Sequence, residues 1–238
     1  MTAGHARRWP YVVLVLVLLL AGAAVVADRI AVGIAESRVA DKLTDRRPFI
    51  GRPTVRIHGF PFLTQAVGGN YRNIEVSGDA GKVGRFSSAS VDADLHGVHL
   101  PIRAALNGVD EVPVDKAEVR VNVALSVLAA ATGVPGLTMT ATGSSITLHA
   151  PVVLPVLGTE TVTATGTVGV TDGALSVAAS AVNVAGVALP TAAAEAAVRL
   201  LELHLPLSDY PFDSRIESVR VQGQSIVIVG SATNIVLR

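Results

Sequence analysis

Most of this chain is written at period two. From Ser88 to His96, Ala89, Val91, Ala93 and Leu95 alternate with Ser88, Ser90, Asp92, Asp94 and His96. Ala117, Val119, Val121 and Val123 alternate with Lys116, Glu118, Arg120 and Asn122. Val162, Ala164, Val168 and Val170 alternate with Thr159, Thr161, Thr163, Thr165 and Thr167. Successive side chains of a strand point to opposite faces, so each run has one apolar and one polar side. Asp172-Gly173 is a hairpin signal, and Leu175, Val177, Ala179 and Ala181 continue beyond it. Glu217 to Gln222 and Ser225 to Leu237 form a last hairpin around Gly223. The pattern predicts a large, mostly antiparallel sheet with one buried face. At Gly97 the phase flips, and Val98 and Leu100 become the apolar positions. A glycine at a phase change predicts a β-bulge, hence strong curvature.

Three segments have helical spacing. Asp28 to Arg47 places Ile30, Ala31, Ile34, Ala35, Val39 and Leu43 on one stripe, and Pro48 ends it. That stripe serves as core or, so close to the N-terminal segment, as an interfacial membrane face. A short helix is expected near Leu125 to Thr132. A third is expected from Thr191 to His204, with Ala194, Val198, Leu201 and Leu205 on one face and Pro190 before it. The fold class is therefore α+β: a strongly curved, mostly antiparallel sheet wrapping helices. The chain also echoes itself. Leu95-His96-Gly97-Val98-His99-Leu100-Pro101 matches Val184-Ala185-Gly186-Val187-Ala188-Leu189-Pro190, and Gly59-Phe60-Pro61-Phe62 matches Asp209-Tyr210-Pro211-Phe212. Two related modules in one domain are expected.

Composition limits the function. The 238 residues carry 19 Lys+Arg and 19 Asp+Glu, and no cysteine. The neutral balance argues against a nucleic-acid partner. The missing cysteine excludes disulfides and thiolate chemistry. His5, Arg7 and Arg8 lead into a run without charge from Trp9 to Ala27. Residues 1–27 read as a signal peptide or a membrane anchor. Both place the remaining domain, 28–238, outside the cytoplasm, in the envelope or periplasm. Residues 28–238 are still about 55% apolar, counting glycine, where roughly 45–50% is ordinary. No second run reaches the length of a span, so the fold itself must hold the surplus.

Polar chemistry is sparse. Asp92, Asp94, His96 and His99 would be an acid–base pair or metal ligands only if they shared a cleft; as strand neighbours they read as a solvated face. Gly143-Ser144-Ser145 is a turn, which removes a nucleophile role with His149. His58 and His204 read as structural histidines in apolar surroundings. No cofactor or metal is expected. The aromatic-Pro-Phe units stand out, because loops are ordinarily polar. The loop Gly59 to Thr64 either plugs a core or lines an apolar mouth.

The sequence resembles the LmeA family of phospholipid-binding proteins of actinobacteria. The residues that carry the resemblance are Ala27-Asp28-Arg29-Ile30 and Val55-Arg56-Ile57-His58-Gly59-Phe60-Pro61-Phe62-Leu63-Thr64-Gln65, then Leu95 to Pro101 and Val112-Pro113-Val114-Asp115. Further on come Gly186 to Pro190, Leu205-Pro206-Leu207, Tyr210-Pro211-Phe212 and Ser231 to Leu237. The resemblance implies an exported envelope protein and a fold similar to tubular lipid-binding proteins. It also implies phospholipid as ligand and, in the mycobacterial member, a part in mannan elongation of lipomannan. It brings no catalytic motif.

The leading expectation is a non-enzymatic phospholipid binder or carrier. Its apolar contacts would be Ile57, Phe60, Phe62, Leu63, Leu95, Val98, Leu100, Val187, Leu189, Val198, Leu201, Leu205, Tyr210 and Phe212. Arg56, Arg72, Arg103 and Arg215 would meet the head group. The first alternative is an envelope adaptor that grips a protein partner or the membrane surface through Phe60, Phe62, Tyr210 and Phe212. The second is a glycolipid-acting enzyme that would need Asp92, Asp94, His96 and His99 in one cleft.

Overall fold

The computed structural model describes residues 9–45, 49–83, 86–101, 111–154, 158–171, 174–184, 187–188, 203–206 and 215–237. It is α+β, with two six-stranded sheets. The first contains β1 (Thr54–His58), β2 (Asn70–Ala80), β3 (Ala89–His99), β4 (Val112–Ala124), β11 (Arg215–Gln222) and β12 (Ser225–Leu237), in the order β1-β2-β3-β4-β12-β11. The middle of the chain makes the second: β5 (Thr138–Thr142), β6 (Ser145–Leu154), β7 (Gly158–Thr171), β8 (Ala174–Val184), β9 (Val187–Ala188) and β10 (Leu203–Pro206). Every pairing is antiparallel. The alternating runs thus form strands as expected, but in two sheets. The break comes at α3 (Leu125–Ala131), where the chain leaves the first sheet at Ala124.

Between the sheets lies the larger core. Val119, Val121 and Val123 of β4 and Ile226 and Ile228 of β12 meet Ile146, Leu148 and Ala164 of the second sheet, with Leu125 and Leu128 of α3 fully buried between them. Removing such a leucine to alanine costs about 2–5 kcal/mol. Thr161, Thr163, Thr165 and Thr167 of β7 alternate with the buried Val162, Ala164 and Gly166. The sheets are also tied by Gln224, in the turn joining β11 to β12. Its side-chain amide accepts from the Ala141 N–H (3.1 Å) and donates to the Ala141 carbonyl (3.0 Å), standing in for a strand neighbour at the edge of β5.

A 37-residue helix, α1 (Trp9–Asp45), runs unbroken through the point where the apolar segment was expected to end. Its C-terminal half packs Ala31, Val32 and Ala35, then Val39, Ala40 and Leu43, against the first sheet. Ile30 and Ile34, expected in that stripe, face outward. A second helix, α2 (Phe62–Gly68), occupies part of what the sequence presents as a loop.

Gly97 changes the strand's phase without a bulge. Val98 pairs with Tyr71 and Val114, and His96 with Asn73 and Lys116, so no residue is inserted. Instead four strands switch together. Inward positions, buried or half-buried, are three apart in β2 (Tyr71, Ile74), β3 (Leu95, Val98), β4 (Val114, Ala117) and β12 (Ala232, Ile235). The skipped pairs share one level, at Arg72, Gly97, Asp115 and Asn234. Gly97 (φ 63°) and Asn234 (φ 53°), on either side of β4, both have left-handed backbone. True bulges occur elsewhere, at Glu217 against β12 and at Ser180 against β7, where an extra residue bends the strand. The two halves of the sequence echo also fold differently. Leu95 to His99 is one continuous strand, whereas Val184 pairs with Val187 across a reversal. The third expected helix cannot reach His204, because Leu203–Pro206 is strand β10, paired with β8. Leu205 is therefore not on a helix.

Candidate functional site

The segment Val55 to Gln65 forms a junction between α1, β1 and α2. Asp28 on α1 is only 2% exposed, and its carboxylate accepts the Leu63 N–H (2.8 Å) at the start of α2 and an Arg29 guanidinium N–H (2.9 Å). Burial opposes its ionisation, but bonds from the Leu63 and Phe62 N–H groups and from Arg29 prevail and hold the carboxyl below its ordinary range. Glu36, two turns on, accepts the Ile57 N–H (2.8 Å), which satisfies the free edge of β1. Gln65 is buried and joins both strands. Its oxygen accepts the Arg72 N–H (3.0 Å), and its amide donates to the His58 carbonyl (3.4 Å). Gly59 is required there: φ is 106°, and a Cβ would lie 2.6 Å from the Gln65 amide. Pro61 precedes the helix in extended conformation, and its carbonyl accepts from Thr64 Oγ1 (2.8 Å).

This junction frames an apolar face. Phe62 and Tyr71 stack at a tilt, 6.2 Å between centroids, and pack with Leu95, Val98, Val114 and Ala117. Burial raises the Tyr71 hydroxyl pKa. Around them Ile57, Ile74, Leu100, Ile235 and Leu237 are only half-buried. Further along the same side of the sheet, so are Val91 and Ala93. Hydrogen-bonded partners share a face, so Ile57–Ile74–Leu95–Ala117 and Val76–Ala93–Val119 are continuous rows on it. On these rows Leu95, Ala117, Val76 and Val119 are buried, while Ile57, Ile74 and Ala93, with the neighbouring Val91, stay half-buried.

A family model described as LmeA-like phospholipid-binding matches residues 26–231. The chain belongs to the LmeA-like phospholipid-binding family. No curated protein and no solved structure matches it. The family match begins two residues before Asp28, so it includes the whole junction, the second sheet and the first sheet as far as Ser231 of β12.

The structure brings together Ile57, Phe62, Leu95, Val98 and Leu100 of the expected lipid contacts. It separates Phe60 and Leu63 from them. Phe62 is core, while Phe60 and Leu63 are exposed on the outer side of the junction. The unit Phe60-Pro61-Phe62 therefore plugs the core through Phe62, while Phe60 stays on the surface. Arg56 and Arg72 are exposed and alternate with the inward Val55, Ile57 and Tyr71, so neither reaches the apolar face. Val187, Leu205 and Arg215 lie in strands whose side chains at those positions are outside the described residues, as are Leu189, Val198, Leu201, Tyr210, Phe212 and Arg103 altogether.

The other face of the first sheet is polar. Row by row it pairs Arg56, Glu75, Asp94 and Glu118, and His58, Asn73, His96 and Lys116. His58 bonds Glu75 (3.1 Å) there, so it is not in apolar surroundings. Asp94 faces Arg120 (3.7 Å) and His96 meets Asn73 (3.3 Å), while His99 lies between Asn70 (2.7 Å) and Asp115 (2.9 Å). The Lys116–Glu118 bond (2.6 Å) raises the lysine and lowers the glutamate pKa, but water screens it. Asp92, Asp94, His96 and His99 are thus spread along an open sheet, each of the last three with its own partner. Among the described residues no three acidic or histidine side chains group as a metal site. Ser144 is in the turn between β5 and β6, and His149 bonds Thr163 (3.1 Å). The signal that sequence reasoning missed was Asp28 with Gln65: two polar side chains in apolar company, each needing a partner.

Proposed function

We propose that the protein is a non-enzymatic phospholipid carrier of the cell envelope, with the acyl chains on the aliphatic face around Ile57, Ile74, Val91, Ala93 and Leu95. The observation that carries this reading is membership of a phospholipid-binding family along most of the chain. The half-buried Ile57, Ile74, Val91 and Ala93 support the position, since lipid sites are mostly apolar with few polar groups. Burying acyl chains is worth about 0.8 kcal/mol per CH₂, so affinity needs a dry surface and no special chemistry. A part in lipoglycan (mannan) elongation would follow as delivery of lipid to an envelope polymerising reaction. An exported or anchored location fits the N-terminal apolar helix.

The test is to purify the protein, extract it with solvent and identify bound lipid by mass spectrometry, then measure uptake of a fluorescent phospholipid. Ile57→Glu with Ile74→Glu should lower uptake at least tenfold, and Thr54→Lys on the polar face should leave it unchanged. A protein that is empty and takes up no phospholipid overturns the reading.

A further inference from the structure

The apolar N-terminal half of α1 and the outer side of α2 meet at one point. Trp9 to Val26 is exposed along its length, and none of its most apolar window is buried in the fold. At 1.5 Å per residue the 19 residues from Trp9 to Ala27 span about 28 Å, close to the ~30 Å of a bilayer's hydrocarbon. Burial begins at Asp28, whose carboxylate holds the Leu63 N–H. The start of α2 is therefore level with the end of the bare helix.

That neighbour is itself apolar on the outside. Phe62, Gln65 and Ala66 face the core, which leaves Leu63 and Val67 on the opposite side, four residues apart on one stripe. Val67 is 79% exposed and Phe60 56%. A surface helix ordinarily turns charges outward; this one has none. Arg29 lies over the Phe60 ring, 5.2 Å from its centroid, and supplies a cation at the same level.

We propose that the bilayer that covers the first half of α1 also receives Phe60, Leu63 and Val67, so that α1 is a retained anchor and the domain rests on the membrane surface through α2. The occupant is a phospholipid surface because the patch continues the surface of a helix long enough to span one. Arg29 would meet phosphates at the depth where the apolar helix ends. This stands whether or not the inner face of the sheet carries lipid.

The chain has no cysteine, so single-cysteine variants label cleanly. The full chain is reconstituted into phosphatidylcholine–phosphatidylglycerol vesicles, with an environment-sensitive fluorophore at Val67→Cys, Phe60→Cys, Leu16→Cys or Thr54→Cys. The expected result is blue-shifted emission at positions 60 and 67, quenched by a nitroxide placed high on the lipid acyl chain. Position 16 should be quenched by a deep nitroxide, and position 54 should stay water-like. Water-like emission at 60 and 67, or an unquenched probe at 16, overturns the proposal. So does a blue-shifted probe at 67 that nitroxide lipid does not quench, since protein would then cover α2.

Discussion

Asp28 holds a carboxylate where a carboxylate is costly, at the foot of an apolar helix and almost without solvent. Bonds from the Leu63 and Phe62 N–H groups and from Arg29 outweigh burial and lower its pKa. Its pKa in the fold is lower than in the unfolded chain, so the unfolded chain takes up the proton first. The junction's stabilisation is therefore complete above the ordinary carboxylate range and drains away as pH falls through the depressed value. Asp28→Asn should lower the melting temperature at pH 7, and the gap from the parent should close below about pH 4. Thermal melts from pH 7 to pH 2.5 check this; a gap that does not change with pH would mean that charge has no part in the junction. Gln65 and Gly59 belong to the same construction. Within the stretch from Arg56 to Gln65, Gly59, Phe62 and Gln65 each meet a specific geometric demand.

Among the elements, the strands were the most legible. The run Ser225 to Leu237 is a strand over those residues, because alternation is a local property and period two has no other structural use here. The phase change at Gly97 was equally visible. Its cause was not, since four strands share the offset and one strand's sequence cannot show the others' levels. The short helix α2 was hidden for a different reason. Seven residues are too few for a helical period to declare itself, and the bond that starts the helix comes from Asp28, 35 residues earlier. The stripe on α1 was misjudged because the helix has two apolar sides, Ile30 with Ile34 and Ala31 with Ala35. Spacing alone does not say which of them meets protein. The inward rows of the candidate site could be read from alternation. Their half-buried state depends on what stands opposite them and could not be read.

The offset makes a prediction of its own. Gly97→Ala forces a side chain into left-handed backbone, at about 1–2 kcal/mol, and directs its Cβ into the Asp115 carboxyl group, 2.1 Å from an oxygen. Urea unfolding should show a loss of at least that size. Asn234 has the same backbone with open solvent beside it, and asparagine tolerates the conformation. Asn234→Gly should therefore change stability by less than about 0.5 kcal/mol. If both variants were neutral, the left-handed residues would not be what turns the strands.

At the scale of the whole molecule, the described part of α1 divides at Asp28 into an exposed stretch and a stretch packed on the first sheet. Deleting residues 1–27 should leave the free energy of urea unfolding unchanged within about 0.5 kcal/mol, and should convert a detergent-requiring protein into one that stays in buffer. A larger loss would show that the apolar helix folds back onto the domain. The two sheets, by contrast, share one core through Leu125, Leu128 and Ile146 and are stitched by Gln224, so a single unfolding transition is expected.

The common level at Arg72, Gly97, Asp115 and Asn234 bears on how such a monotonous sequence finds its partners. In a uniformly alternating sheet, a slip of one residue exposes the core and is rejected, but a slip of two keeps every side chain on its proper side. Valine against alanine gives little reason to prefer either register. A shared offset removes that degeneracy. If one strand slid by two, its double outward step would fall out of line with its neighbours, and Lys116 or Asp115 would be turned toward the aliphatic rows. The seam acts as an alignment notch cut across four strands, and it lets a low-information alphabet encode a single pairing.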